Sequence, residues 1–284
     1  MSSLDTWIKG SRPRTLAAAI SPILVATALA GKDAMLSRAG LALVVSLALQ
    51  VAVNYSNDYS DGIRGSDSDR VGPIRIVASG LATPASVKRA ALIAFSIAGI
   101  AGFTLAAMTS WWLLAIGALS IIAAWTYTGG RTPYGYNGFG EISVFLFFGL
   151  IATMGSYYVQ TQRLTLKSLF AAIPIGALSC AILAINNIRD RAKDEAVGKR
   201  TLAVRLGESK SRNFFLGLLL TAHISALLVT PWAVITLLLI PLTFRLARLI
   251  KAETHGKALI PLLAKTGQLQ LLFAALLALA LWLA

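Results

Sequence analysis

NYSNDYSDGIRGSDSDRVGPIR, residues 54–75, sits at the end of an apolar run rather than in a soluble segment. Asn54, Asn57, Asp58 and Asp61 fall at i, i+3, i+4 and i+7, so a helix continuing from that run to Gly62 carries them as one polar stripe. Two carboxylates and two amides then point the same way from the mouth of a membrane helix. A second stripe, Asn187, Asp190 and Asp194 at i, i+3 and i+7, ends another apolar run, with Asp190 lying 132 residues after Asp58. Each stripe is followed by cations: Arg64, Arg70 and Arg75 after the first, Lys199, Arg200 and Arg205 after the second. Carboxylates able to hold a divalent metal, next to groups able to hold phosphate oxygens, suggest a diphosphate site.

The apolar context follows from composition. Of 284 residues 56% are hydrophobic and 13% charged, the latter about half the share usual in soluble domains, so the expected class is an all-α, polytopic membrane bundle. Nine stretches meet or approach the roughly 20 apolar residues needed to cross a bilayer: about 15–31, 39–57, 89–108, 111–128, 140–160, 167–187, 212–230, 232–250 and 266–284. The first carries Pro22 and is expected to be kinked, tilted or partly re-entrant. Thr83 and Pro84 make a good helix start. The lone Cys180 allows no intramolecular disulfide, and the N-terminus lacks the compact signal-peptide pattern.

A net charge of +14 would suggest nucleic acid in a soluble protein; here orientation explains it better, and no nucleic-acid partner is expected. With nine spans, 22 of the 26 Lys and Arg residues fall on the side that carries the N-terminus and both acidic stripes. The positive-inside rule puts that side in the cytoplasm. Helices two and six both end in a stripe, followed by GPIRIVASG and GKRTLAVRLG respectively. A single domain, 1–284, is therefore expected, with a weak parallel repeat (about 15–128 and 140–250, plus a ninth helix) that brings the stripes face to face across a central cavity.

Other residues admit two readings. Arg75, Lys199 and Arg200 taken singly can be orientation charges; as a group behind the acids they read as diphosphate ligands. Arg12 and Arg14 flank Pro13 at the first helix entrance, either as topology anchors or as a dock for an acidic substrate. YTGGRTPYGYNGFGE, 127–141, is either an interfacial aromatic belt with turn glycines or a loop over the cavity with Tyr127 and Arg131 in reach of substrate; the belt leaves Glu141, at the head of a span, unexplained. His223 and His255 are too far from each other and from the stripes to suggest metal ligation. A transporter could also use intramembrane Asn and Asp, but the acids gather at one face and few polar residues on the other side could complete a pathway.

NDYSD (57–61), the downstream Arg75 and NNIRDRAKD (186–194) resemble the UbiA superfamily of intramembrane aromatic prenyltransferases over nearly the whole chain. RPRTL (12–16), NDYSDGIRG (57–65), GPIRIVASGL (72–81), YTGG with PYGYNGFGE to 141, and GKRTLAVRLG (198–207) resemble its menaquinone-pathway branch, which uses 1,4-dihydroxy-2-naphthoate, and in particular its actinobacterial members. The resemblance implies a transferase of a bacterial plasma membrane that joins a polyprenyl diphosphate to this acceptor, with 4-hydroxybenzoate as the alternative acceptor. It implies Mg2+ held by Asp58, Asp61, Asp190 and Asp194. Asn57, Asn187, Arg75, Arg131 and Lys199 would lie by the diphosphate, and Arg12, Arg14, Tyr127 and Glu141 by the acceptor. The broad family motif places a third acid four residues after the second; that position is Gly65 here, and Asp67 or Asp69 is the substitute.

Overall fold

The computed structural model describes residues 3–66, 72, 74–252 and 255–284. Asp67 and Asp69, with the first-site ligand question they carry, lie outside the described residues. Within them the chain is helical and has no strand. In order come α1 (Ser3–Ser11), α2 (Ala17–Ala30), α3 (Leu36–Ile63), α4 (Pro84–Met108), α5 (Leu113–Thr126) and α6 (Gly140–Thr161). Then follow α7 (Leu166–Ala196), α8 (Leu202–Leu227), α9 (Pro231–Lys251) and α10 (Ile260–Trp282).

All nine apolar stretches fall on helix, but they are not equal. Six helices are long and apolar enough to cross a bilayer, or seven if α1 and α2, bent by 52° at their junction, form one span. At 1.5 Å per residue, the fourteen-residue α5 reaches only about 21 Å. The α8 segment starts after a break at Gly207, where φ is 75°, and its first turns carry Glu208, Lys210 and Arg212. The bend expected near Pro22 sits earlier instead. Pro22 lies inside α2 without ending it, whereas Arg12, ahead of Pro13, adopts φ 53° and breaks the chain between α1 and α2.

Local signals set the other helix ends. Thr83 accepts a hydrogen bond from the Ser86 N–H with Pro84 in the first turn of α4, and Thr165 and Ser168 form a reciprocal capping box at the start of α7. The central helix is α7, with 78% of its apolar window buried against 22% for α3. Small residues allow that enclosure: a Cβ on Gly149 would stand 2.5 Å from the Gly176 Cα, so α6 and α7 touch backbone to backbone. The approach falls in the π-helical turn Phe145–Ile151 of α6.

The two larger of four apolar clusters among the described residues set the halves of the bundle. One joins α7 to α10, with Ile175, Phe215, Leu246 and Phe273 fully buried; the other joins α3 and α4 through Ala52, Tyr55, Val87 and Phe95, with Ile76 from the connection between them. Between these halves lies the hollow that both stripes enter. The opposite end of the bundle is tied separately: Arg38 donates to the carbonyls of Met108 (2.9 Å) and Val159 (3.1 Å), and Arg163 pairs with Asp33 at 3.6 Å. Those segments are the ones that alternation of spans assigns to the face away from the stripes.

Candidate active site

The polar end of the bundle encloses a cavity of about 370 Å³. Asn57 and Asp61 line it from α3, and Asn187, Asp190 and Asp194 from α7, so residues of both stripes share one chamber. Arg12 and Arg14 come from the α1–α2 break, Tyr127 and Tyr136 from the α5–α6 loop, and Arg75 and Lys199 from the segments after each stripe. Seven Lys and Arg side chains line the chamber against three carboxylates, so its described walls favour an anion.

Asp61 is the hub, 3% exposed. Its Oδ2 faces the Arg75 Nη2 at 3.4 Å, its Oδ1 accepts from the Lys199 Nζ at 3.2 Å, and the Tyr136 hydroxyl donates to the same Oδ1. A carboxylate of the first half is thus held by cations from both halves. The Lys199 ammonium also sits 4.4 Å over the Tyr136 ring. Burial, and then the Asp61 charge, push the Tyr136 hydroxyl above its ordinary value, so it stays a proton donor.

Asp58 faces elsewhere, although it is only three residues from Asp61. It is fully buried and lines neither this cavity nor the apolar one described below. Its Oδ2 accepts from the Ile76 N–H and its Oδ1 from the Val77 N–H, both at 3.0 Å. With both oxygens committed to backbone, Asp58 pins the turn that carries Arg75, which departs from the expectation that all four acids face the substrate. Gly62 permits the same docking, because a Cβ there would meet the Val77 side chain at 2.4 Å.

The second stripe is braced in its own way. The Arg189 Nε and Nη2 fork onto the two oxygens of Asp190, both at 2.7 Å. Gly72, from the first half, packs on that guanidinium, where a Cβ would be 3.2 Å from the Arg189 Cζ. Asn187 donates to the Glu141 Oε1 at 2.8 Å. Glu141 itself is buried and lines neither cavity, so it orients Asn187 rather than meeting an acceptor. Asn57 accepts from the Thr128 hydroxyl at 2.7 Å. Asn54 ties the helix break down, donating to the Ser11 carbonyl (2.8 Å) and the Thr15 hydroxyl (3.1 Å).

Arg131 is exposed and lines neither cavity, contrary to the reading that brings it to a diphosphate. Arg64 does the work in that loop, donating to the carbonyls of Thr128 and Gly130, while the Arg200 N–H donates to the Tyr136 carbonyl at 2.7 Å. Both links close the α5–α6 loop over the chamber. Tyr136 and Arg189 escaped the sequence reading. Tyr136 sits in a run of three tyrosines that spacing cannot rank, and Arg189 is masked as one of many orientation charges.

A second hollow of about 310 Å³ adjoins the first, sharing Arg12, Asn57, Tyr127 and Asn186 at the junction. Beyond them it is walled by Leu49, Val53, Leu105, Ile116, Phe147 and Phe148, an apolar channel between helices. For a metal, the donors facing the polar chamber are hard oxygens, carboxylate and amide, which suit magnesium rather than a soft ion. Among the described residues no three His, Cys, Asp or Glu side chains gather closely enough to hold a metal. A magnesium ion held here would need oxygens from a bound phosphate as well, its usual mode.

Stripes from two helices meeting in one membrane bundle, with residues 19–259 matching the UbiA prenyltransferase family, place this chain in that family. It is 47% identical to the 1,4-dihydroxy-2-naphthoate octaprenyltransferase of Mycobacterium tuberculosis, over 96% of both chains. The Escherichia coli protein of the same name is 38% identical, with 94% of this chain and 91% of that one covered. Among solved structures, a UbiA homolog from Archaeoglobus fulgidus bound to GPP and Mg2+ superposes with a TM-score of 0.71 at 16% identity, over 98% of this chain and all of that one. The apo UbiA homolog from Aeropyrum pernix gives 0.72 at 13% identity, covering 94% and 96%. At such identities the likeness is of fold.

Proposed function

We propose that this chain transfers a polyprenyl group from an allylic polyprenyl diphosphate to 1,4-dihydroxy-2-naphthoate, releasing diphosphate and CO2 and giving demethylmenaquinol for menaquinone biosynthesis. The shared name of the relatives, at 38–47% identity over nearly full length, supports that acceptor. The observation that carries the chemistry is the polar, cation-rich chamber opening directly into an apolar channel. One suits a diphosphate, the other its isoprenoid tail.

The reaction begins as the allylic C–O bond breaks, its electron pair leaving with the diphosphate. Arg75 and Lys199 supply fixed positive charge where that negative charge grows, already oriented by Asp61 and so needing little reorganisation. Magnesium bound through Asp61, Asp190 and Asp194, with Asp67 as a further candidate, would neutralise the departing group. The apolar channel keeps water from the allylic cation, and the Tyr127 ring at the junction offers it a π face. Arg12 and Arg14, at the same junction and chamber, suit the acceptor's carboxylate. The electron-rich ring attacks at its carboxylated carbon; loss of CO2 and a proton restores aromaticity.

On this reading the protein crosses the plasma membrane nine times, with α5, α8 and the bent α1–α2 pair each counted as a span. Its N-terminus and chamber face the cytoplasm, and a single domain with a weak parallel repeat sets the two stripes opposite one another. The test is product analysis by mass spectrometry: purified protein, Mg2+ and a prenyl diphosphate series, offered dihydroxynaphthoate and 4-hydroxybenzoate separately. Prenylated, decarboxylated naphthoquinol is expected; product from 4-hydroxybenzoate alone refutes the acceptor, and no product from either refutes the reading.

A further inference from the structure

By charge count Lys193 is one of many cations that orient the chain, yet its ammonium is not at a solvated surface. The Nζ is enclosed, lines the polar chamber and has no hydrogen-bond partner among the described residues. Arg189 lies four residues earlier on α7, one turn away on the same face. Two of its nitrogens are taken by Asp190, and its Nη1 is likewise enclosed without a partner. The Thr201 hydroxyl, 7% exposed and lining the same chamber, is a third unmatched donor.

Three buried donors lacking an acceptor among the described residues form an unstable set unless something arrives to fill it. Like charges at i and i+4 repel, and a desolvated ammonium left unpaired is costly. The Asp190 carboxylate already forks with the Arg189 guanidinium through both of its oxygens.

We propose that Lys193 and Arg189, with Thr201 beside them, form an oxyanion subsite on α7 that receives a phosphate or carboxylate group of a substrate. The inference rests on the prenyl-transfer reading and adds a binding residue to it. Lys193 carries the charge that the bound group neutralises; Arg189 contributes its remaining N–H without releasing Asp190.

The test uses full-length protein in detergent, with Lys193→Met and Lys193→Arg. A charge-assisted hydrogen bond lost on binding corresponds to about a ten- to hundred-fold rise in KM for one substrate, with kcat little changed. A rise confined to the prenyl diphosphate identifies a phosphate as occupant, and one confined to dihydroxynaphthoate identifies its carboxylate; Lys193→Arg should recover most of the loss. Thermal unfolding gives a readout independent of turnover. Without ligand, Lys193→Met should melt at or above the wild type, because an unpaired buried charge is gone, and it should lose the rise in Tm that inorganic pyrophosphate with Mg2+, or 1-hydroxy-2-naphthoate, gives the wild type. If the wild type turns over neither substrate, the prenyl-transfer reading fails and the pyrophosphate and naphthoate melts alone decide the subsite. A Lys193→Met protein that melts well below the wild type and keeps both its KM values and its ligand shifts overturns the proposal, since that is the behaviour of a structural lysine.

Discussion

Replacing Asp58 by Asn separates two roles that its position in the stripe leaves merged. The side chain keeps its shape but exchanges one acceptor oxygen for an NH2 that faces a backbone N–H. Of the two 3.0 Å bonds to Ile76 and Val77, one is lost and its buried N–H stranded. The lost charge-assisted bond alone is worth about 1.5–3 kcal/mol, or ten- to hundred-fold in occupancy of the ordered turn. Since Arg75 precedes Ile76 directly, the loss should raise the KM for prenyl diphosphate and lower Tm, while the Mg2+ concentration for half-maximal activity stays within about threefold. Asp61→Asn should act on turnover instead: it removes the carboxylate that Arg75 and Lys199 both address, so turnover should fall by roughly a thousand-fold, and Tm should fall too because both cations are buried. The assay is a steady-state titration of Mg2+ against both variants, with thermal unfolding in parallel. An Asp58→Asn protein of unchanged Tm whose Mg2+ requirement rises tenfold would refute the clamp and make Asp58 a metal ligand after all.

Gly149→Ala forces a Cβ against the Gly176 backbone and should cost about 1–3 kcal/mol by overpacking, read as a lower Tm in detergent. Arg131→Ala, at an exposed position outside both cavities, should leave kcat and both KM values within about twofold; a larger loss would return Arg131 to the substrate. Glu208 ties α7 to α8, pairing with Arg212 at 2.6 Å and Arg191 at 3.6 Å. The Arg212 hydrogen bonds hold its carboxyl below the ordinary 4.5. A depressed folded-state value stabilises above the unfolded value and is lost as pH falls through the folded one. Wild-type Tm should therefore fall more steeply than that of Glu208→Gln as pH drops below about 4.5.

The sequence by itself determined the helices, the membrane setting and the neighbourhood of the site. Apolar runs and a charge bias concentrated on one set of loops depend only on composition along the chain, and the 3.6-residue period places Asn57, Asp61, Asn187, Asp190 and Asp194 at helix mouths without any knowledge of neighbours. Tertiary structure decided which members of a stripe face the chamber. Periodicity fixes the angle between Asp58 and Asp61 around α3, not the rotation of α3 against the rest, so only packing sends one to the Ile76–Val77 turn and the other to the chamber. The same holds for loops, which have no period: spacing treats Arg131 and Tyr136 alike, and long-range contacts from Arg64, Lys199 and Arg200 put Tyr136 over the cavity and leave Arg131 outside. The pairing of Asp61 with Lys199, 138 residues apart, exists only once both halves have closed around the same hollow.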